Sequence, residues 1–212
     1  INRVYVDRVH VKKAFAEYTA AYNADDPKIK LKIDHTYRVA ALCERIAKAA
    51  GMCAYDVELA WLSGMLHDVG RFEQIKRYNT FSDADSVDHA KFGADLLFKD
   101  GLISTFLNGM VKCTGYKPGA LEDRYSSDGV FLYDRLNKSD MEMLELAIRC
   151  HNMYRIPQGL NRREQAFCNV LRDADKVDIF KVNIDTPLEE IYNTTTEELM
   201  KSDITDEVLK AF

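Results

Sequence analysis

Apolar residues return at helical intervals in segment after segment, and this constrains the chain more than any other feature. Val39, Leu42, Ile46 and Ala49 share one face of a helix predicted from His35 to Ala50, which Gly51 ends. Leu59, Leu62 and Leu66 line up in a second, Tyr55 to Leu66, with Asp56 in its first turn. The same period predicts helices over 11–22, 86–98, 102–111 and 163–180, and shorter ones near 187–192, 197–201 and 206–212. In "SDMEMLELAIRCHN", Ser139 and Glu142 fit a capping box and predict a further helix. Strand-like alternation is scarce, and only four prolines and ten glycines punctuate the sequence. The expected class is all-α.

A chain of 212 residues can bury a sizeable core, and nothing in it forces a division. One domain over 1–212 is expected, with a core over about 30–180 and a C-terminal helical extension. Within that core, an irregular connection or insertion is read over about 112–138, where turn residues crowd "CTGYKPGALEDRYSSDG". The net charge of −5 argues against an extended nucleic-acid footprint. The five cysteines are odd in number and contain no CxxC pair, which disfavours a disulfide framework or a thiolate zinc site. They read mostly as small buried hydrophobes in a reducing cytoplasm. No signal peptide is recognised, and no apolar run reaches the roughly 18 residues of a membrane span.

One stretch poses a chemical problem. "WLSGMLHDVGRFEQ", residues 61–74, is apolar until it meets His67-Asp68, and Gly70 reads as a turn just after. An imidazole and a carboxylate are costly to bury without partners. Adjacent helical residues point about 100° apart, so the two converge on one ligand only where the helix end faces a cavity. Imidazole nitrogen and carboxylate oxygen suit divalent transition metals, and an ion would supply the missing partner. Of the five histidines, His35, His67, His89 and His151 lie at or near predicted helix boundaries.

In chain order, His35 in "KIDHTYRVAALCERIA", His67-Asp68 in "GMLHDVGR" and Asp175 in "LRDADKVD" fall on successive predicted helices. This order resembles the HD-domain superfamily of metal-dependent phosphohydrolases over residues 30–180. The resemblance implies a helical bundle enclosing a metal site, with one ion held by His35, His67, Asp68 and Asp175. His89 and His151 stand where two-metal branches place further histidines, and would take a second ion with Asp68 bridging. The ion would be Mn, Fe, Ni, Co or Zn, one or two per chain. A metal-activated water would attack the phosphorus of a nucleotide or other small phosphoester. Asp68 and Arg71 are the residues assigned to catalysis.

Arg71 admits two readings, a two-pronged phosphate clamp or an ordinary surface cation past a helix end. Lys91, Arg155 and Lys176 are weaker cations of the same kind, and Gln74, Tyr78 and Asp88 are candidates for shaping the pocket. Asp175 is preferred to Asp173 and Asp178 because "DADK" fits the superfamily's closing aspartate; the other two read as caps, ion-pair partners or supports. His10 lies outside the pattern, and Cys150 reads as packing. "TGYKPG", 114–119, is not the Gly-Tyr-Pro motif of the cyclic-dinucleotide branch, since it precedes His151. Two alternatives stay open: the mixed-valent diiron oxygenases of the same fold, and a non-catalytic signalling module. Substrate identity and oligomeric state are not fixed by the sequence.

Overall fold

The helices begin where polar side chains can cap them. In the computed structural model, which describes residues 6–107, 136, 138–185, 187, 189, 195–201, 203 and 206–210, α1 (Arg8–Thr19) starts behind Asp7, whose carboxylate accepts from the His10 amide at 2.9 Å. Asp26 does the same for α2 (Pro27–Ala49), accepting from the Lys28 amide at 2.8 Å, with Pro27 in the first turn. The helix therefore starts eight residues before the predicted first residue, His35. α3 (Ala54–Leu66) follows, and then α4 (Val69–Tyr78), α5 (His89–Ala94) continuing as a π-helical turn (Asp95–Lys99), and α6 (Ile103–Phe106). After them come α7 (Lys138–Cys150), α8 (Arg162–Asp185), α9 (Thr196–Met200) and α10 (Asp206–Leu209). The described residues contain no strand, and the fold is all-α.

Three sequence expectations are corrected. Gly70 does not turn the chain: α4 starts at Val69, directly after Asp68. Ser139 lies inside α7 and does not cap it; a reciprocal cap stands instead at α8. There Asn161 Oδ1 accepts from the amides of Arg163 and Glu164, and Glu164 returns a bond to the Asn161 amide. The helix expected over 86–98 begins at His89, because Asp88 caps it and Ser86 turns back to the Ser82 carbonyl. The irregular 112–138 stretch falls almost wholly outside the described residues, as does most of 187–192.

α3 is buried on all sides from Leu59 to Leu66, which makes it the central helix, with α2, α7 and α8 packed around it. Two glycines set how closely the surrounding helices approach. A Cβ on Gly64 would stand 2.6 Å from the Ala40 Cα, so only glycine lets α3 press onto α2. A Cβ on Gly70 would meet the His89 carbonyl at 2.6 Å and the Gly93 amide at 2.7 Å, both backbone atoms that cannot step aside. Gly70 thus serves close contact between α4 and α5. Gly70→Ala is expected to destabilise the fold by about 1–3 kcal/mol, the usual cost of overpacking. Urea denaturation reads this directly, and an unchanged midpoint would contradict the role. No helix among the described residues is long and apolar enough to cross a membrane. Cys43, Cys150 and Cys168 are buried free thiols, whereas Cys53 is exposed.

Candidate metal centre

Four helix ends and two helix interiors deliver the polar residues to one buried place. His35 comes from within α2, His67 from the residue just past α3, Asp68 from the residue just before α4, His89 from the start of α5, His151 from just past α7, and Asp175 from within α8. All six are buried. His35 Nε2 and His67 Nε2 stand 3.3 Å apart, and His89 Nε2 and His151 Nε2 stand 3.1 Å apart. Asp68 lies between the two pairs. Its Oδ2 is 3.6 Å from His35 Nε2 and 3.5 Å from His67 Nε2; its Oδ1 is 3.7 Å from both His89 Nε2 and His151 Nε2. Asp175 Oδ1 closes on the first pair, 3.1 Å from His35 Nε2 and 3.7 Å from His67 Nε2.

The outer nitrogens fix how each ring faces. His67 Nδ1 donates to the Gly64 carbonyl and His151 Nδ1 to the Ile148 carbonyl, each at 2.7 Å. His35 Nδ1 meets Asp178 Oδ2 and His89 Nδ1 meets Asp83 Oδ2, each at 2.6 Å. All four partners are acceptors, so each Nδ1 carries a proton, and for His67, His89 and His151 this leaves the Nε2 lone pair pointing inward. Burial pushes the His67 imidazole down to about 3 and, against the pull of Asp83, His89 to about 4, which keeps both neutral near pH 7. The facing His89 and His151 lone pairs, 3.1 Å apart, repel unless a cation lies between them. Burial works against charge on Asp68 too, yet the Lys32 ammonium holds its carboxyl well below the usual range. His35 is pulled the other way: burial lowers it, but Asp175 and Asp178 more than offset that. The inward atoms of His35, His67 and Asp68 all lie within 4.8 Å of one another, and so do those of Asp68, His89 and His151. Either group could hold a metal ion, and the ring orientations are those that metal ligation requires.

This arrangement coincides with the stretch of chain that carries a known domain. The HD domain description matches residues 33–205, most of the chain. The protein belongs to the HD domain family. No curated protein and no solved structure matches it significantly. Membership places this HD domain in the metal-dependent phosphohydrolase superfamily, whose members bind divalent metals.

The remaining candidates of the HD domain separate by position. Arg71 is no solvated surface cation: its side chain is only 13% exposed, and Nη1 donates to Gln74 Oε1, the Phe81 carbonyl and Asp83 Oδ1 at 2.7–2.9 Å. Its Nε is buried without a hydrogen-bond partner, 3.9 Å from Asp68 Oδ1. Lys91, Arg155 and Lys176 are exposed, and Tyr78 is 45% exposed. Gln74 is fully buried, and Asp88 caps α5. Asp173 is exposed, and Asp178 supports His35 from outside while a two-pronged bond with Arg38 satisfies it. His10 Nε2 bonds the Thr105 carbonyl, away from the centre.

Sequence reasoning missed Lys32 and Asp83. Lys32 Nζ stands 2.7 Å from Asp68 Oδ2 on a side chain 16% exposed, and it lies over the Phe81 ring at 5.3 Å. The signal was present: Lys32 and His35 are three apart and share a helix face. A helix predicted to start at His35 leaves Lys32 outside it. Asp83 sits in the loop between α4 and α5 and carried no sequence signal.

Proposed function

We propose that this HD domain hydrolyses the phosphoester of a small phosphorylated substrate, a nucleotide foremost. One observation carries the reading. Beside a potential metal centre, Arg71 keeps a buried guanidinium N–H without a partner, 3.9 Å from Asp68 Oδ1. An unmet buried charged donor costs on the order of 1–3 kcal/mol or more. A phosphoryl oxygen is the acceptor that planar guanidinium matches best. Lys32, on the other oxygen of Asp68, adds a second positive group at the same place.

His35, His67, Asp68 and Asp175 would hold one ion, and Asp68, His89 and His151 a second; the donor set suits Mn, Fe, Ni, Co or Zn. Bound metal supplies an activated water and a clamp on the phosphoryl oxygens. Asp68 keeps both halves in register through its two oxygens. Arg71 and Lys32 bind and orient the substrate's negative charge. No side-chain nucleophile is required, and the buried thiols are poor ones: burial raises Cys168 to about 11 and Cys43 further still. The reading treats residues 1–212 as one domain.

The test is a hydrolysis screen over nucleotides and generic phosphoesters with Mn, Fe, Co, Ni and Zn added singly to metal-stripped protein. At least a tenfold stimulation of phosphate release by one of these ions is expected, lost in Asp68→Asn. Turnover of no phosphoester with any ion would sink the proposal.

A further inference from the structure

The loop between α4 and α5 converges on a single carboxylate. Asp83 Oδ1 accepts from Arg71 Nη1 at 2.9 Å and from Gln74 Nε2 at 3.0 Å. Its Oδ2 accepts from His89 Nδ1 at 2.6 Å and from Asn152 Nδ2 at 3.3 Å. Four donors from three places meet there: two from α4, one from the start of α5, and one from the residue after His151. The loop is itself held in shape. Fully buried Gln74 donates to Ser86 Oγ at 2.8 Å and the Val87 carbonyl at 3.1 Å, and its Oε1 accepts from Arg71 Nη1 at 2.7 Å.

Each oxygen of Asp83 serves a different part of the centre. Oδ2 draws the His89 proton to Nδ1, which leaves the Nε2 lone pair facing Asp68 Oδ1 at 3.7 Å. Oδ1 holds Arg71 by Nη1, which turns Nε, the donor without a partner, toward the same Asp68 oxygen. Asp178 uses the same device on His35, but its arginine, Arg38, is one-third exposed, and Arg38 has no bond to the centre. Among the described residues, only Asp83 orients both an inward histidine and the arginine beside Asp68.

We propose that Asp83 is a positioning residue that assembles the His89 half of the centre and the Arg71 anion-binding arm as one unit. The role rests on the phosphohydrolase reading for its purpose, but its physical content does not depend on turnover. An Asn at this position cannot serve both faces. If its oxygen meets His89, its NH2 opposes the Arg71 and Gln74 donors. If it is flipped, the His89 proton must move to Nε2, which then cannot ligate.

Two measurements decide it. In the metal-free wild-type protein, long-range 1H–15N NMR should find His89 as the Nδ1–H tautomer; the Nε2–H tautomer would overturn the proposal without any variant. In Asp83→Asn, Mn2+ titration should show the weaker-binding ion lost or weakened about 10–100-fold, the usual effect of removing a ligand's support. The other ion should stay within about threefold. Inorganic phosphate should bind the manganese-loaded variant about tenfold more weakly. Asp178→Asn is the mirror: it should weaken the ion that Asp83→Asn spares. Unchanged manganese and phosphate binding in Asp83→Asn, or equal loss of both ions, would overturn the role, since equal loss is what general loosening gives. If Asp83→Asn does not fold, the wild-type tautomer still decides. If no phosphoester is hydrolysed, the function fails, while the tautomer and manganese results stand on their own.

Discussion

Asp68→Ala is expected to remove bound metal from both halves of the centre at once. Its Oδ2 faces His35 and His67, and its Oδ1 faces His89 and His151, all between 3.5 and 3.7 Å. No other described carboxylate reaches both pairs within salt-bridge distance: Asp175 approaches His35 and His67 only. Metal content by mass spectrometry should fall close to zero per chain. Hydrolysis should fall at least about 10³-fold, a loss beyond the 10–100-fold expected for an outer supporting residue. The variant should still fold, because Lys32 loses its partner at a site it can leave: its side chain is 16% exposed and can turn its charge to water. Circular dichroism would check that. Retention of near-normal metal by a folded Asp68→Ala protein would refute the bridging position.

What the sequence revealed and what it hid divide along a physical line. The apolar period is local, so it marked α3 and most of α2 and α8, and the order of His35, His67-Asp68, His89, His151 and Asp175 could be read along it. The structure brings those six into one buried cluster. Gly70 was misread because glycine has two uses. Here it answers a close approach of α5, a tertiary demand that local sequence does not carry. Asp26 and Pro27 start a helix whose apolar period becomes legible only from His35, and those eight residues hold Lys32. Ser139 and Glu142 matched a capping box in spacing alone, while the real one stood at Asn161 and Glu164. Asp83 was invisible for the same reason as Gly70. Its four partners come from residues 71, 74, 89 and 152, and only the folded chain draws them together.

The second large effect separates the two halves. His151→Ala should bring metal content down to one ion per chain, because His35, His67, Asp68 and Asp175 keep their own geometry on the far side of Asp68. His89→Ala should do the same, with the added loss of the bond to Asp83. His67→Ala should act on the other half and take the ion nearest Asp175. Each deletion opens a small buried space, so each melting curve belongs beside its metal count. If the second ion takes part in the chemistry, His151→Ala should cost hydrolysis at least about a hundredfold; two-metal sites clamp both the attacking and the leaving oxygen. A loss below about fivefold, with one ion still bound, would show that the first ion suffices. The same pair of variants tests the oxygenase alternative. That chemistry needs two irons, so iron-loaded His151→Ala should consume no oxygen if the alternative holds and the wild type does. Arg71 and Lys32, half-buried beside Asp68, favour an anionic substrate at this centre. Phosphate release by the manganese-loaded wild type, with no oxygen uptake by the iron-loaded form, is therefore the expected pair of results.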